Sequence, residues 1–292
     1  MSADKQVTVN IEIPDGNASS VWIVGRDPDW KGNVVVCPRG CFETARSMKQ
    51  FSQPGVYVLR KVIPLQFPQI YIGYADPIKE RLNNHYANKG FWQEVFVCVD
   101  DGGGKLNIAH IQHLEARLIS MAKAANLCVL DQNTPQPPTL SKAVESYAEN
   151  FLTQLIFVLR VLGVNIFEVS PTAAEEKSGA KMFVLKSKGV TANGYQNSGE
   201  FVVLAKSEAV IEIAPHALEG SIDIFRKSLE SQGILKAENG RLVFTKNYPF
   251  SSPSAAAGVI IGGSADGRLQ WKNDKGKSIK DLEVEAVGVV EK

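Results

Sequence analysis

The sequence predicts an α+β protein, because short β-rich runs and amphipathic helices follow one another without a regular repeat. Apolar residues alternate over 5–13, which indicates a strand, and they recur at helical spacing over 141–162. A polar stretch of small residues lies between two such mixed regions, which is typical of a linker. We therefore divide the chain into a β-rich N-terminal unit at 1–50, a mixed domain at 51–166, a linker at 167–180 and a C-terminal α+β accessory domain at 181–292.

Composition excludes several classes of protein. Among the 292 residues, 32 are Lys or Arg and 31 are Asp or Glu, so the net charge is +1. This balance excludes a disordered or histone-like basic chain and gives no long-range attraction to a polyanion. The four cysteines are too sparse for a disulfide scaffold. No apolar run is long enough to span a bilayer, so we expect a cytoplasmic protein without membrane contact.

The mixed domain is predicted to read strand, strand, helix, strand, helix, helix. The strands are expected at 55–63, 70–73 and 92–99, where β-branched and aromatic residues cluster. Asp76 and Pro77 are typical of a helix start, and that helix is expected to end near Tyr86. Two longer helices are expected at 107–126 and 141–162, both with an apolar stripe.

The C-terminal domain is predicted to contain β-rich runs, two helices and two hairpins. The helices are expected at 215–232 and 252–262, and Glu238–Gly240 has the composition of a hairpin turn. A last hairpin is expected over 267–279. Residues 266–280, which include this hairpin, carry five cationic residues against two acidic ones, with a tryptophan among them, so the hairpin is a candidate for phosphate contact.

Five polar residues of the mixed domain form the candidate chemical site. Tyr57 and Tyr71 lie on two adjacent predicted strands, with room for both rings on one sheet face. Arg81 and His85 are four residues apart and so share one helix face, and Glu115 lies on the later helix. Such a set can hold a phosphodiester, bind one divalent cation and deprotonate a water molecule.

These residues resemble the GIY-YIG nuclease family over about 51–166. Gly55-Val56-Tyr57 stands as the first triplet and Tyr71-Ile72-Gly73 as the second. Arg81, His85 and Glu115 follow in the family's order. The resemblance implies a three-stranded antiparallel sheet flanked by helices. It also implies a metal-dependent endonuclease that hydrolyses DNA phosphodiester bonds with one divalent cation, Mg²⁺, for which Mn²⁺ can substitute.

The resemblance also implies roles for single residues. Tyr57 would act as general base or position the attacking water, and Tyr71 would hydrogen-bond the phosphate or support Tyr57. Arg81 would neutralise the transition state, and His85 would tune Tyr57 or relay its proton. Glu115 would be the metal ligand. Because an ordinary tyrosine has a pKa near 10, Tyr57 as a base needs a neighbouring cation, for which Arg81 and His85 are candidates, or a metal-bound water. The family often adds an asparagine after the glutamate helix, and both Asn126 and Asn133 qualify, with Asn133 preferred.

DNA is the expected partner, and two regions are candidates to contact it. Lys89 and Trp92 follow the first predicted helix and combine a charge with a stacking surface. The second region is the basic hairpin, whose candidates are Arg268, Trp271, Lys272, Lys275 and Lys277. The C-terminal residues, including Ser251–Ala257 and Gly262-Gly263-Ser264, resemble a domain of unknown function that often accompanies such nucleases. The alternatives are a nucleic-acid-binding module without turnover and an RNA-directed hydrolase.

Overall fold

The structure is a computed structural model that describes residues 6–27, 30–63, 66–101, 106–130, 132–167, 181–197 and 199–288. The chain divides into two compact units, Met1–Ile63 with Phe67–Val169 and Pro64–Gln66 with Ser170–Lys292. Each unit contains helices and sheets, so the predicted α+β class is confirmed. The linker expected at 167–180 lies outside the described residues except for Phe167.

The first unit contains a seven-stranded sheet and four α-helices. Two 3₁₀ turns, Arg39–Cys41 and Lys49–Ser52, flank the first helix. The elements are β1 (Thr8–Glu12), β2 (Trp22–Asp27), β3 (Gly32–Pro38), α1 (Phe42–Ala45), β4 (Gly55–Lys61), β5 (Gln69–Ala75), α2 (Ile78–Asn88), β6 (Glu94–Asp100), α3 (Ile108–Ala125), β7 (Val129–Leu130) and α4 (Lys142–Val161).

The strand order of this sheet is β1-β2-β3-β6-β4-β5-β7. The three strands expected in the mixed domain are present as β4, β5 and β6, which pair antiparallel. They do not form a sheet by themselves, because β3 pairs along the whole of β6, from Gly32 opposite Asp100 to Pro38 opposite Glu94. On the other side, β7 pairs with β5 in parallel.

The expectation of a separate N-terminal unit at 1–50 is therefore corrected. Strands β1, β2 and β3 continue the sheet of the mixed domain, and Val34 and Val36 belong to the same hydrophobic core as Val56 and Val58. The sequence pattern is compatible with both arrangements, since alternation identifies a strand but not its partner. Pairing with β3 covers the edge of β6, which would otherwise be exposed.

The two faces of the sheet pack against different helices, because successive residues of a strand point to opposite faces. Val56 and Val58 face a core built with α3 and α4, whereas Tyr57 and Leu59 face a core built with α1 and α2. Trp92 lies in this second core with 1% of its surface exposed. The sheet is thus covered on both faces over its central strands.

The second unit contains two smaller sheets and several helices. The elements are β8 (Met182–Ser187), β9 (Val190–Asn197), β10 (Glu200–Val203), β11 (Glu208–Ala209), α5 (Ser221–Ser231), β12 (Leu235–Glu238), β13 (Arg241–Phe244), β14 (Tyr248–Phe250), α6 (Pro253–Ile261), α7 (Gly267–Gln270) and α8 (Ile279–Gly288). The strand orders of the two sheets are β14-β10-β9-β8 and β11-β13-β12. Helix α6 packs against both sheets and against α5 and α7.

The hairpin expected over 267–279 is only partly present. Its first half is α7, which Asp266 caps by accepting from the backbone N–H of Arg268. Lys272 and Ser278 form an isolated antiparallel bridge around the turn. The aspartate before a short polar run favours the helical turn over a strand because it satisfies a helix-end donor.

Removing residues 1–50 is expected to prevent the first unit from folding. A chain of residues 51–167 lacks β3, so the edge of β6 loses its hydrogen-bond partners and the core loses Val34 and Val36. We expect this chain to aggregate or to show no cooperative unfolding, whereas the chain of residues 1–167 folds. Circular dichroism with urea titration distinguishes the two, and a cooperative transition in the shorter chain would show that the N-terminal strands are dispensable.

Candidate active site

Tyr57 and Tyr71 lie on one face of the sheet. Tyr57 stands opposite Gly73 on β5, and Tyr71 stands two residues before Gly73, so both side chains project to the same side. Their rings are stacked, with centroids 6.4 Å apart and planes 22° apart. Tyr57 is fully buried and Tyr71 is half-buried. The predicted pairing of the two phenols is therefore present, with Tyr71 nearer to solvent.

The Tyr57 ring lies directly against the backbone of Gly73. A Cβ atom at Gly73 would be 2.3 Å from the Tyr57 hydroxyl oxygen and 2.5 Å from its Cζ atom. No side chain fits in that space, so the glycine of the second triplet is a packing requirement of the tyrosine in the first. This close approach holds the phenol flat on β5 and aims its hydroxyl group at α2.

Helix α2 places His85 beside the tyrosines. The Nε2 atom of His85 is 2.8 Å from the Tyr57 hydroxyl oxygen, which is hydrogen-bond distance. Tyr71 meets the same imidazole edge-on at 5.0 Å between centroids. His85 is only 2% exposed, and its Nδ1 atom has no hydrogen-bond partner among the described residues. Nothing else in the described residues competes with Tyr57 for the imidazole.

Arg81 lies one turn before His85 and interacts with both phenols. Burial disfavours its charged form, but hydrogen bonds from the guanidinium to the hydroxyl groups of Tyr57 and Tyr71 raise the pKa of Arg81 overall. The Arg81 side chain is exposed, so the cation remains accessible from solvent. Arg81 thus holds the two hydroxyl groups near a charge that an incoming anion can reach.

The protonation states follow from burial. Burial raises the pKa of Tyr57 well above its usual range, and the Tyr71 and Glu115 charges act the same way, while Arg81 opposes them. Burial lowers the pKa of His85 to about 4, and the charges of Arg81 and Lys89 add to this. Arg81 is the neighbouring cation that Tyr57 would need as a general base, but its effect on the pKa of Tyr57 is smaller than that of burial. At neutral pH, Tyr57 carries its proton and His85 is the neutral acceptor.

Glu115 lies on α3 between buried Leu114 and Ala116 and is itself half-buried. Burial raises the pKa of Glu115 to about 7, although the charge of Arg81 acts in the opposite direction. A carboxylate in this environment is suited to a cation. Among the described residues, no three acidic, histidine or cysteine side chains converge on one metal position. A single carboxylate fits Mg²⁺, which usually keeps several waters and takes further oxygens from a substrate.

The segment after β7 contributes a residue that sequence reasoning missed. The side-chain amide of Gln132 accepts from the backbone N–H of Ile72 at 2.7 Å and donates to the Ile72 carbonyl oxygen at 2.8 Å. Gln132 therefore continues the sheet at the centre of the second triplet. A glutamine in a Pro-rich segment gives no sequence signal for this role, because the contact joins residues 60 positions apart.

The two predicted asparagines lie in different settings. Asn126 ends α3 in the left-handed conformation, with φ of 53°, which explains an asparagine there as a helix C-cap. Asn133 is exposed, next to Gln132. The geometry gives the neighbouring glutamine, not Asn133, the contact with the tyrosine strand.

The two candidates for nucleic-acid contact after α2 differ in position. The ammonium group of Lys89 lies 4.0 Å above the centroid of the Tyr71 ring. This cation therefore borders the group formed by Tyr57, Tyr71, Arg81 and His85, which we call the tyrosine cluster. Trp92 is instead a core residue, with Phe42 edge-on to it at 6.1 Å and Arg39 stacked 4.5 Å from its ring. The prediction that Trp92 stacks on a base is corrected, because its ring is not accessible.

Two cations of the C-terminal basic patch are paired with acidic residues, and its tryptophan is buried. Trp271 is fully buried against Phe201, with 4.5 Å between ring centroids, so it cannot stack on a base. Arg268 pairs with Glu283, and Lys277 pairs with Glu285 at 2.6 Å. Lys272 and Lys275 are exposed. The acidic residues of α8 supply the partners, which lie too far along the sequence to be read from the hairpin alone.

The contribution of His85 to folding stability is expected to fall as the pH drops from about 7 to 4. The unfolded imidazole takes up a proton near pH 6.5, whereas the folded one, with a pKa of about 4, does not. The unfolded state then binds more protons at this residue, so its contribution falls by about 2 kcal/mol between pH 7.5 and pH 5. The raised pKa of Glu115 acts in the opposite direction over the same range, so the effect of His85 is isolated by comparing the wild type with His85→Gln. Urea titrations of both proteins at both pH values make this comparison. On acidification the stability of the wild type should change by about 2 kcal/mol more in the destabilising direction than that of His85→Gln, and equal changes would contradict a buried neutral imidazole.

Replacing Gln132 by leucine is expected to destabilise the first unit by about 1–3 kcal/mol, since the N–H and carbonyl groups of Ile72 both lose their partner. Asn133→Leu is the matched control and should change stability by less than about 0.5 kcal/mol, because its side chain is exposed. Urea midpoints of the two variants give the comparison. Equal effects would mean that the two hydrogen bonds do not stabilise β5.

Comparison with known proteins gives one result. Residues 183–283 match the family described as "Domain of unknown function (DUF4357)". This agrees with the expected C-terminal accessory domain and leaves residues 51–166, with the tyrosine cluster, outside the matched segment. No curated protein and no solved structure is significantly similar to the chain. In the part of the chain that the structure describes, no helix has the length and apolar character needed to cross a membrane.

Proposed function

We propose that this chain is a metal-dependent endonuclease of the GIY-YIG type that hydrolyses DNA phosphodiester bonds. One observation carries the proposal: the hydroxyl group of Tyr57 lies 2.8 Å from the neutral imidazole of His85 and within the hydrogen-bonding range of Arg81. A proton acceptor, a relay hydroxyl and a fixed cation therefore meet where a phosphate can enter beside Tyr71. These are the groups that hydrolysis of a phosphodiester requires.

The buried phenol serves as a proton relay in this proposal. The oxygen of a water molecule attacks phosphorus and the bond to the leaving oxygen breaks. The water proton passes to the Tyr57 oxygen as the Tyr57 proton passes to Nε2 of His85. The leaving oxygen takes a proton from solvent, so atoms and charges balance. This assignment follows from the raised pKa of Tyr57 and the lowered pKa of His85, since at neutral pH the phenol keeps its proton and the imidazole is unprotonated.

The substrate itself would favour the relay. Arg81 and Lys89 disfavour a charged His85 in the free protein. A bound phosphodiester is negative and offsets both charges, so the imidazole becomes a better proton acceptor when the substrate is present. Arg81 also stabilises the additional negative charge on the phosphate oxygens in the transition state. The cluster is thus set to react only when an anion occupies it.

Glu115 would hold the Mg²⁺ ion, with Mn²⁺ as a substitute, and its half-buried carboxylate fits a cation that keeps most of its water. A bound divalent cation supplies Lewis-acid stabilisation of the phosphate oxygens. The carboxylate must be ionised for this, and a pKa of about 7 in the free protein means that protons compete with the cation below neutral pH.

Glu115→Gln is expected to lower the rate of DNA cleavage by about 10²–10³-fold while leaving the fold intact, because the charge is lost at constant shape. The assay incubates the purified full chain with plasmid, hairpin and single-stranded DNA and Mg²⁺, with end-mapping of the products. Glu145→Gln, an exposed glutamate of α4, is the matched control and should cleave at the wild-type rate.

The same assay can contradict the proposal in three ways. Equal cleavage by Glu115→Gln and Glu145→Gln would remove Glu115 from the site. Binding of DNA without cleavage in Mg²⁺ and in Mn²⁺ would favour a nucleic-acid-binding module. Cleavage of an RNA hairpin added to the same substrate panel, with no cleavage of DNA, would favour an RNA-directed hydrolase.

Arg81→Lys is expected to reduce cleavage by about 10²-fold or more, because a compact ammonium group lacks the broad planar fork of donors with which the guanidinium spans the tyrosine hydroxyl groups and a phosphate. Single-turnover rates and the affinity for uncleaved DNA are measured separately. Loss of affinity with an unchanged single-turnover rate would assign Arg81 to binding alone.

A further inference from the structure

A cavity of about 590 Å³ lies in the C-terminal unit, where three loops meet. They are the β8–β9 turn with Lys188, the segment 210–215 after β11, and the β12–β13 turn that ends at Arg241. Volumes of 300–1,000 Å³ are typical of sites for small ligands. The cavity therefore has the size of a site for a nucleotide-sized group.

The segment 210–214 is held firmly against the end of α6. The N–H of Val210 donates to the Ile260 carbonyl oxygen at 2.9 Å, and the N–H of Ala214 donates to that of Gly262 at 2.7 Å. Gly262 has φ of 72°, and a Cβ atom there would lie 2.3 Å from the Glu212 carbonyl oxygen. Close contact at three points fixes the path of this segment.

Arg226 binds the same segment from the protein interior. Its buried guanidinium donates to the carbonyl oxygens of Val210, Ile211 at 3.3 Å and Glu212 at 3.5 Å. No peptide bond of this segment is cis, so each N–H points opposite to the carbonyl of its own peptide unit. The N–H groups of Ile211, Glu212 and Ile213 therefore point away from Arg226.

Segment 210–214 lines the cavity and Arg226 does not, so the side of the segment away from Arg226 is the side next to the cavity. None of the N–H groups of Ile211, Glu212 and Ile213 hydrogen-bonds to another described residue. A cation on the carbonyl side polarises each peptide unit and strengthens its N–H as a donor. Backbone N–H groups without a partner at the wall of a cavity are donors for an anion.

Two cationic side chains line the same cavity. The Lys188 ammonium group donates to the Ile261 carbonyl oxygen at 3.1 Å and forms no ion pair with a described residue. Arg241 is paired with Glu208 at 2.6 Å, so Lys188 is the lining cation that is free to neutralise a ligand. The Glu212 carboxylate is exposed at the same site and opposes an anion.

We propose that this cavity binds a phosphate group, carried by a nucleic-acid strand or by a free nucleotide. The N–H groups of 211–213 and the Lys188 ammonium group donate to its oxygens, and Val190 and Val210 provide an apolar wall for the rest of the ligand. A phosphate has enough acceptor oxygens for all four donors. The inference does not rest on the nuclease proposal, since all of these residues belong to the C-terminal unit.

The test is amide NMR of the ¹⁵N-labelled full chain, titrated with inorganic phosphate, a deoxynucleoside monophosphate and a single-stranded oligonucleotide. We expect the amide resonances of Ile211, Glu212 and Ile213 to shift. Lys188→Gln should weaken the affinity about tenfold, the loss of one charge-assisted bond. Lys236→Gln, an exposed lysine of β12, is the matched control and should bind like the wild type.

Each outcome decides the proposal. Glu212→Gln removes the carboxylate that opposes an anion, so it should bind phosphate more tightly than the wild type. This variant tests the proposal if Lys188→Gln does not fold. Absent shifts at 211–213, or equal affinities of Lys188→Gln and Lys236→Gln, overturn it. If the oligonucleotide causes the shifts at lower concentration than the monophosphate, the source is a strand. The reverse order identifies a free nucleotide.

Discussion

The contact of the Tyr57 ring with Gly73 is the constraint on which the candidate site depends. It joins β4 to β5 at the one register that brings both tyrosines to the same sheet face. It also fixes the hydroxyl group at hydrogen-bond distance from His85 on α2. A bulkier residue at 73 would displace the Tyr57 phenol. The hydroxyl groups of Tyr57 and Tyr71 would then no longer both lie near Arg81. The glycine is therefore a steric condition for the chemistry.

The sheet extends on both sides beyond β4 and β5, the two strands that carry the tyrosines. Strands β1, β2 and β3 cover one side of β6, and β7 with Gln132 covers the outer side of β5. Every central strand thus has partners on both sides, which leaves Tyr57 in a rigid surrounding. Rigidity matters for this cluster because proton transfer from a buried phenol depends on tenths of an ångström.

The sequence predicted what depends on neighbouring positions. Triplets on adjacent strands and a four-residue helix spacing were enough to bring together Tyr57, Arg81 and His85. The sequence did not predict pairings between distant positions. Examples are β3 with β6, Gln132 with Ile72, and Arg268 with Glu283. Trp92 and Trp271 show the same limit, since a tryptophan between charged residues looks like a binding surface until its packing partners are known. The pKa of Tyr57 likewise depends on tertiary packing, because burial outweighs the effect of the nearby cation.

The position of Gln132 also has a consequence for biosynthesis. It is made 60 residues after its partner Ile72, when the tyrosines, α2 and α3 have already been synthesised. Until then β5 has an open edge at the centre of the second triplet, and open edges pair readily with other chains. Translation that slows or stops before this point leaves a nascent chain that holds the whole tyrosine cluster but is prone to association. Synthesis of this short segment is therefore the step that closes the edge of β5 against pairing with other chains.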